Sequence, residues 1–320
     1  MKKILIALTT ALLLTACSSD SDPTVTKDGR RVPLQVRGYI ADTPLGITRA
    51  AGSTWEEEDE IGLYAFPQGD TTTPIDDGSN VCYFFTDNPI ATNGNIYQAF
   101  ASSTSINLPG TGNIDVYGYY PYNSELTNPT AVAVNLSTQN PQKSIDLMTT
   151  GKVSTSTHNG STPININNPS CELLFEHRLT KLEFNLKFED FGEITTTSLT
   201  IGSQKTTATY NIYTSTLTYG SGEANQTITA AIGSTKSGFD KTFEAIVLPN
   251  DDSNNPVPVQ RKVTIVVDGR SYSFTIISSG EKSKTEVVTS SFVAGKKYIY
   301  NVTVYPFTIT VDPDKYTEQW

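Results

Sequence analysis

Period-2 alternation of apolar and polar residues is the feature that most restricts how this chain folds. Residues 182–188 carry an apolar side chain at every second position, and the same pattern flanks Asp268-Gly269 on both sides. A two-residue Asp-Gly turn pairs residue 265 with 272 and residue 263 with 274, so both apolar sets lie on one face. No long stretch repeats apolar residues every 3.6 positions, so the sequence predicts an all-β protein.

Short, evenly spaced strands with turn signals extend over about 300 residues and predict two tandem β-sandwich domains. We place these domains at residues 32–168 and 169–320, because residues 149–168 are polar and nearly free of large apolar side chains. Just beyond that boundary the apolar positions change parity near Thr180. The change indicates either a bulge or a strand that passes from one sheet to another.

The N-terminus has the parts of a bacterial lipoprotein signal. Lys2 and Lys3 precede an apolar core at residues 4–14, and Leu14-Thr15-Ala16-Cys17 forms a lipobox. The apolar core is shorter than the roughly 20 residues that span a bilayer. We expect residues 1–16 to be removed and Cys17 to be lipidated, with residues 17–31 as a flexible tether. The alternative is an ordinary cleaved secretory peptide.

The net charge of the mature chain restricts the partners that it can bind. Without Lys2 and Lys3, 21 of the 23 basic residues remain against 33 acidic ones, a net charge of −12. That balance argues against nucleic acid or an anionic membrane surface as a partner, since both need clustered Lys and Arg.

Cys82 and Cys171 each lie among apolar residues, which favours two buried thiols over a single disulfide.

The sequence contains no catalytic constellation. It has no phosphate-binding Gly-Lys loop, nucleophile elbow, paired-His signature or Cys-x-x-Cys. His177 shares the parity of apolar neighbours and is expected to pack with a satisfied ring, whereas His158 is expected to be solvated. The acidic loops at 76–80 and 250–254 could hold calcium, but neither has EF-hand spacing and solvated turns are favoured. We therefore predict no catalytic residue, cofactor or metal site.

A short strand and a basic site stand at the start of the mature chain. Val32, Leu34 and Val36 alternate with polar residues, which predicts a half-buried strand. A connector of small residues follows and contains Arg49, and Trp55 comes after it. An exposed Arg among Ala and Gly is a good protease substrate, and a cut after Arg49 would separate the strand from its domain.

Two further observations concern this site and the other end of the chain. Rival cut sites exist at Arg30, Arg31 and Arg37, and the residues alone are compatible with an incidental surface Arg49. Chain ends are usually polar and frayed, yet the last residues here carry five apolar side chains that need a place to be buried. These are Phe307, Ile309, Val311, Tyr316 and Trp320.

The order of first strand, Thr48-Arg49-Ala50, Trp55, acidic turn and Ile61-Gly62-Leu63-Tyr64 resembles the fimbrillin family of Bacteroidales. That family comprises major and minor fimbrial subunits and their Mfa-like relatives. One difference is that the family usually has Gly-Asp in the turn after the Trp, where this chain has Glu58-Asp59. The resemblance continues in Tyr119-Tyr120-Pro121-Tyr122, in residues 175–182 and in Ala294-Gly295-Lys296-Lys297-Tyr298.

The resemblance implies transthyretin-like sandwich domains and a structural subunit of a surface fimbria. It implies that the precursor is anchored in the outer membrane by lipid, and the acidic residues 18–22 are similar to a surface-export stretch of Bacteroidetes lipoproteins. It also implies that an Arg-specific protease cuts between Arg49 and Ala50, and that a strand of the next subunit then fills the vacated groove. We expect the five C-terminal apolar residues to provide that strand, with other fimbrial subunits as partners.

The alternative is a surface lipoprotein that does not polymerise and binds a glycan or host ligand. In that case Arg49 is incidental, and the C-terminal alternation closes the second domain's own sheet. An enzyme is not expected.

Overall fold

The computed structural model describes residues 31–41, 55–92, 95–158, 160–221, 225–250, 260–277, 286–288 and 292–319. The prediction of an all-β protein is confirmed, because the regular structure of these residues is β-strand apart from one 3-10 turn at Gln142–Ser144. In this part of the chain no helix is long and apolar enough to cross a bilayer.

The first eight strands build the N-terminal half. In ring order β1-β4-β3-β2-β5-β7-β8, seven of them form a closed barrel, and β6 lies outside it. Ile61, Leu63 and Ala65 point into the barrel and are fully buried there. The strands are β1 (Gln35–Ile40), β2 (Glu60–Pro67), β3 (Val81–Thr92), β4 (Asn95–Ala101), β5 (Ile114–Tyr120), β6 (Val132–Asn135), β7 (Met148–Val153) and β8 (Ser170–His177).

The topology adds two details to the fold expected for residues 32–168. The sheet of this half closes on itself, because β1 pairs with β4 on one side and with β8 on the other. Closure includes β8, which lies beyond residue 168, and most of β7 lies in the polar stretch 149–168.

The C-terminal half is a sandwich of two five-stranded sheets, ordered β13-β10-β16-β17-β18 and β14-β15-β9-β19-β20. Apolar side chains from both sheets form one buried core between them. The remaining three-stranded sheet, β12-β11-β6, joins strands from both halves. The strands are β9 (Thr180–Phe188), β10 (Thr197–Gln204), β11 (Thr207–Asn211), β12 (Thr216–Tyr219), β13 (Gln226–Thr229), β14 (Ala231–Ile232), β15 (Lys241–Val247), β16 (Gln260–Val267), β17 (Arg270–Ile277), β18 (Glu286–Val288), β19 (Lys296–Tyr305) and β20 (Thr308–Gln319).

The hairpin of β16 and β17 confirms the predicted register. Ile265 pairs with Tyr272 and Val263 with Phe274, and all four side chains are buried in the sandwich core. The turn residues Asp268 and Gly269 have φ of 44° and 81°. Positive φ at both central residues is the geometry of the type I′ turn that Asp-Gly favours.

The change of parity near Thr180 marks the passage between sheets, the second of the two predicted alternatives. β8 ends at His177 in the barrel, and β9 begins at Thr180 in the sandwich. His177 is buried with Nδ1 2.8 Å from Asp146 Oδ1, which confirms a satisfied core histidine. His158 is exposed, as predicted.

The two halves share a third apolar cluster. Tyrosines on the outer face of β2 and β5 pack against β6, β11 and the end of β15. Gln139 fixes this contact, because its amide donates to the carbonyls of Leu136 (2.8 Å) and Ile246 (3.0 Å). Its oxygen accepts the Ile246 N–H at 2.7 Å.

Candidate functional site

The first strand is an inserted element of the barrel wall. β1 runs antiparallel to β4 and parallel to β8, so it has a hydrogen-bonded neighbour on each side. Leu34, Val36 and Ile40 are each 3% exposed and point into the barrel core. The segment 31–41 is therefore an integral part of the barrel wall, and among the described residues no other strand lies between β4 and β8.

Backbone pairing extends beyond the strand on both sides. The Leu34 N–H donates to the Ile106 carbonyl at 2.8 Å, and the Leu108 N–H donates to the Val32 carbonyl at 2.9 Å. The Ala41 N–H donates to the Phe175 carbonyl at 2.7 Å. The strand predicted from Val32 to Val36 therefore continues to Ile40. Val32 is half-buried at its outer end.

Aromatic rings line the space beneath β1. The Trp55 ring lies edge-on to Phe100 at 5.2 Å and to Phe175 at 5.1 Å. Gly38 lies against this cluster, and a Cβ at that position would be 3.0 Å from the Phe100 ring. A close approach of backbone to ring requires the missing side chain, so Gly38 sets how deep β1 is seated.

Withdrawal of β1 would leave a groove with two free strand edges. Adjacent strands lie about 4.8 Å apart, so β4 and β8 would face each other across about 10 Å. Val36 pairs with Phe100 on β4 and with Cys171 on β8, and Gly38 and Ile40 pair with Leu173 and Phe175. This groove matches the width of one extended chain and offers main-chain partners on both sides.

The basic residues around β1 differ in their surroundings. Arg37 lies inside β1, where its backbone is paired with Ala99 and Glu172. Arg31 precedes the strand, with its guanidinium 3.8 Å from the Asp77 carboxylate. The predicted cleavage residues Arg49 and Ala50 lie outside the described residues, as does the lipidation residue Cys17.

The turn between the predicted cut site and β2 is built on Asp59. Its carboxylate accepts the Glu56 N–H at 2.7 Å and the Tyr120 hydroxyl at 2.9 Å. Burial and the Asp59 carboxylate raise the pKa of Tyr120, so this hydroxyl remains a donor. Glu58 has a φ of 77°, a conformation that glycine adopts without strain. The turn thus keeps the geometry of Gly-Asp although Glu58 occupies the glycine position.

The predicted donor residues at the C-terminus are separated by the structure. Phe307 is 93% exposed in the turn between β19 and β20, so it does not continue the apolar face of the strand. Ile309 is buried in the sandwich core, and Val311 packs against that core. The backbone of Tyr316 belongs to β20, whereas Trp320 lies outside the described residues.

β20 is the last strand of its sheet and pairs with β19 alone. Its register shifts between the pair Tyr300–Pro313 and the pair Tyr298–Thr317, which places extra residues on β20. Such a bulge divides a strand into two separately paired parts. The part before it carries Ile309, and the part after it consists of residues 314–319.

The described residues hold no group of three or more His, Cys, Asp or Glu arranged for a metal ion. Cys82 and Cys171 are free thiols, Cys171 fully buried and Cys82 partly so. Burial raises the pKa of the Cys82 thiol to about 11 and that of Cys171 above its usual range. The preference for two thiols over a disulfide is confirmed.

The sequence does not identify Phe100, Leu173 and Phe175 as residues of the groove, because the partners of a strand leave no local signal in the sequence.

The architecture is that of an all-β protein with a barrel, a sandwich and one strand inserted in the barrel wall. The chain belongs to the fimbrillin-like family, whose family model matches residues 48–320. That match begins one residue before Arg49 and leaves out β1.

Two kinds of relative agree with this assignment. The chain is 30% identical over 315 residues to a Bacteroides uniformis protein described as a candidate fimbrium subunit, Fim1C. The alignment covers 95% of this chain and 91% of that protein. A crystal structure of a candidate cell adhesion protein from Bacteroides uniformis superposes with a TM-score of 0.65 at 26% identity, covering 92% and 99% of the two chains. A Bacteroides ovatus structure has the same TM-score at 20% identity, covers 91% and 98%, and supports the fold. The chain is therefore a structural protein of cell-surface fimbriae.

Proposed function

We propose that this protein is a polymerising fimbrial subunit that is activated by loss of its first strand. The precursor is exported as a lipoprotein, anchored through Cys17 to the surface of the outer membrane. An Arg-specific protease then cuts between Arg49 and Ala50. The cut frees β1 together with the lipid anchor, and a strand of a neighbouring subunit replaces β1 between β4 and β8.

The observation that carries this proposal is the position of β1 between two barrel strands. A strand with partners on both sides closes the wall, so its loss opens a groove instead of trimming an edge. Burial of Leu34, Val36 and Ile40 contributes roughly 5–9 kcal/mol in total, counted at about 1.5–3 kcal/mol for each side chain. The empty groove has the same apolar area to cover, which supports replacement by another strand.

The rival basic sites fit this function less well than Arg49. Proteases need an extended and accessible chain, and the backbone at Arg37 is held in ladders with both neighbours. A cut after Arg30 or Arg31 leaves β1 in the barrel. Only a cut between the end of β1 and Trp55 releases the strand, and Arg49 is the basic residue of that interval.

The end of β20 supports the choice of donor. Residues after Asp312 lie at and beyond the bulge and pair only with β19 at a sheet edge, so their release leaves the pairing of Ile309 with Val304 in place. We therefore assign the donor to residues 313–320, which include Tyr316 and Trp320, and not to Phe307. Contact between the end of one subunit and the groove of the next is head-to-tail and does not close, which produces a filament.

Limited proteolysis tests this function. A precursor that begins at Ser18, and so carries no lipid, is digested in its folded state with an Arg-specific protease. We expect one main product that begins at Ala50, together with a ladder of polymers on an unboiled gel. N-terminal sequencing identifies the cut, and Arg49→Ala should prevent both the cut and the ladder.

Arg37→Ala serves as the matched control, because it removes a basic residue of the first strand and leaves Arg49 in place. It should change neither the product nor the ladder. Resistance at Arg49, or a cut that yields monomer alone, would overturn strand exchange. The surface lipoprotein that binds a ligand without polymerising would then be the better description.

A further inference from the structure

A cleft of about 600 Å³ opens on the outer face of the barrel, where β2 and the loop between β5 and β6 meet the loop between β11 and β12. Small-molecule sites in proteins usually measure about 300–1,000 Å³. Four aromatic side chains line it: Tyr64, Phe66, Tyr122 and Tyr213. In the ring of seven barrel strands, β2 and β5 are each three strands away from β1. The cleft therefore lies on the side of the barrel opposite the first strand.

The lining of the cleft is uncharged. None of its thirteen residues is Asp, Glu, Lys, Arg or His, although the whole chain has 33 acidic and 23 basic residues. Six of the thirteen present a hydroxyl or amide group in addition to the tyrosines. They are Thr71, Thr72, Ser79, Asn80, Ser124 and Thr127. An aromatic surface combined with neutral donors and acceptors suits a ligand that has both apolar ring faces and many hydroxyl groups.

The ring of Tyr213 is held firmly at one wall. It lies edge-on to Phe66 at 5.3 Å and to Tyr64 at 6.1 Å, and it is tilted over Tyr117 at 4.9 Å. Asn211 fixes the turn behind it, because its side-chain oxygen accepts the Tyr213 N–H at 2.9 Å. A ring positioned in this way loses little freedom when a ligand stacks on it.

Asn80 joins two loops of the cleft. Its amide donates to the carbonyls of Asn123 at 3.0 Å and Leu126 at 3.3 Å, and its oxygen accepts the Tyr119 hydroxyl at 2.6 Å. Residue 80 thus ties the loop before β3 to the loop after β5. The walls are set by bonds within the protein, which is the arrangement of a pre-formed site.

We propose that this cleft binds a neutral oligosaccharide. Sugar rings stack on Tyr213 and Tyr122 through their C–H faces, while the threonine and serine hydroxyls of the rim bond the sugar hydroxyls and Asn80 holds the loops in place. The site is independent of strand exchange, since it lies opposite β1 and is complete in the uncleaved chain. A subunit joined to its neighbours through the β1 groove keeps the cleft open, so a fimbria would display one site per subunit.

The chemistry disfavours two other occupants. An acidic saccharide or peptide would place negative charge in a cleft without any cation on a chain of net charge −10. A proline-rich peptide also stacks on aromatic grooves, but it has no hydroxyl groups for the six neutral polar side chains of the rim.

The test uses the uncleaved chain from Ser18, so that polymerisation plays no part. Calorimetry and saturation-transfer NMR measure binding of neutral hexasaccharides of glucose, mannose, xylose, galactose and N-acetylglucosamine, with oligogalacturonate and decaproline as comparison ligands. We expect at least one neutral hexasaccharide to bind with Kd below about 1 mM. Tyr213→Ala and Tyr122→Ala should each weaken it at least about tenfold. Tyr213→Phe keeps the stacking ring and should retain most of the affinity.

Tyr305→Ala is the matched control, since this tyrosine is also half-exposed but belongs to β19 in the sandwich. It should bind as the parent does. If Tyr213→Ala does not fold, Thr127→Trp at the exposed rim blocks the cleft without emptying its floor and should abolish binding. Absence of binding by all neutral sugars, binding of oligogalacturonate or decaproline alone, or affinity that none of the cleft substitutions changes would each overturn the proposal.

Discussion

The first and last strands of this protein are attached in opposite ways. β1 has six residues, two hydrogen-bonded neighbours and inward side chains that are almost inaccessible to solvent. β20 has twelve residues and a single neighbour, and the turn before it leaves Phe307 exposed. The short strand is thus embedded in the wall, and the long strand lies at an edge.

This difference determines what the loss of each strand does to the fold. Loss of β1 creates two unpaired edges and an uncovered apolar core, and such a surface binds another strand strongly. Loss of the end of β20 removes backbone pairing at an existing sheet edge and leaves Ile309 in the sandwich core. Release of β1 therefore creates a binding site for a strand, whereas release of the end of β20 provides a strand that can bind in such a site.

The largest expected effect comes from placing a charge on the inner face of β1. Val36→Asp puts a carboxylate in the barrel core, and we expect the free energy of unfolding of the precursor to fall by about 4 kcal/mol. Gln35→Asp, on the exposed neighbour, should change it by less than about 1 kcal/mol. Urea denaturation of both variants measures the difference.

After proteolytic removal of residues up to Arg49, the two variants have the same sequence as the cleaved parent. Their cleaved forms should therefore be equally stable, which separates effects of β1 from effects of the barrel. Equal stability of the two uncleaved variants would show that β1 is not embedded, and the contrast with β20 would disappear.

A pair of C-terminal truncations tests the other side of the comparison. A chain that ends at Asp312 keeps Ile309 and loses backbone pairing at a sheet edge, so we expect its free energy of unfolding to fall by no more than about 1 kcal/mol. A chain that ends at Tyr305 also loses the buried Ile309 and should lose about 2–3 kcal/mol. Urea unfolding gives both values, and unboiled gels after Arg-specific digestion give the polymers.

Neither truncated chain should form a ladder, because both lack residues 313–320. The shorter deletion is the informative one, because we expect it to keep its fold. Normal ladders from the chain that ends at Asp312 would remove the assignment of these residues as the donor.

Local patterns explain what could be predicted from the sequence. The pairing of Ile265 with Tyr272 follows from a two-residue turn, and turn chemistry is encoded in neighbouring residues. The inward direction of Leu34 and Val36 follows from period 2, and both residues are buried. The passage between sheets near Thr180 was visible as a change of parity, although its two explanations could not be separated.

Contacts between distant residues explain what could not be predicted. Val36 meets Phe100 and Cys171, and nothing local to any of the three residues indicates that a barrel closes there. The polar face of β9 is covered as well as its apolar face, since Lys181 is buried with its Nζ 3.0 Å from the Glu244 carboxylate. A charged residue can be buried when its partner comes from another strand, and alternation alone does not reveal that partner.

The cleft illustrates the same limit. Tyr64 and Tyr213 are far apart in the sequence. Tyr64 is buried, whereas half-buried Tyr213 forms a wall of the cleft. Only the packing of the β11–β12 turn against the barrel brings the two rings to 6.1 Å.

The smallest expected effect concerns the turn that connects the cleavage region to the barrel. Glu58 has a φ of 77° and is exposed, so its side chain contributes strain without burial. Glu58→Gly should raise the free energy of unfolding by about 0.5–1 kcal/mol, because glycine adopts this backbone conformation without strain. Glu57→Gly, one residue earlier at a position without positive φ, should be neutral or destabilising, since it only adds freedom to the unfolded chain.

This last variant sharpens the contrast with β1 when it is measured before and after cleavage. The turn stays with the barrel after the cut, so the gain from Glu58→Gly should persist in the cleaved chain, where the effect of Val36→Asp has vanished. Urea denaturation of cleaved and uncleaved samples measures both. A gain confined to the precursor would mean that the turn is ordered by β1 and not by Asp59 and Tyr120, and the barrel without its first strand would then be less independent than its hydrogen bonds indicate.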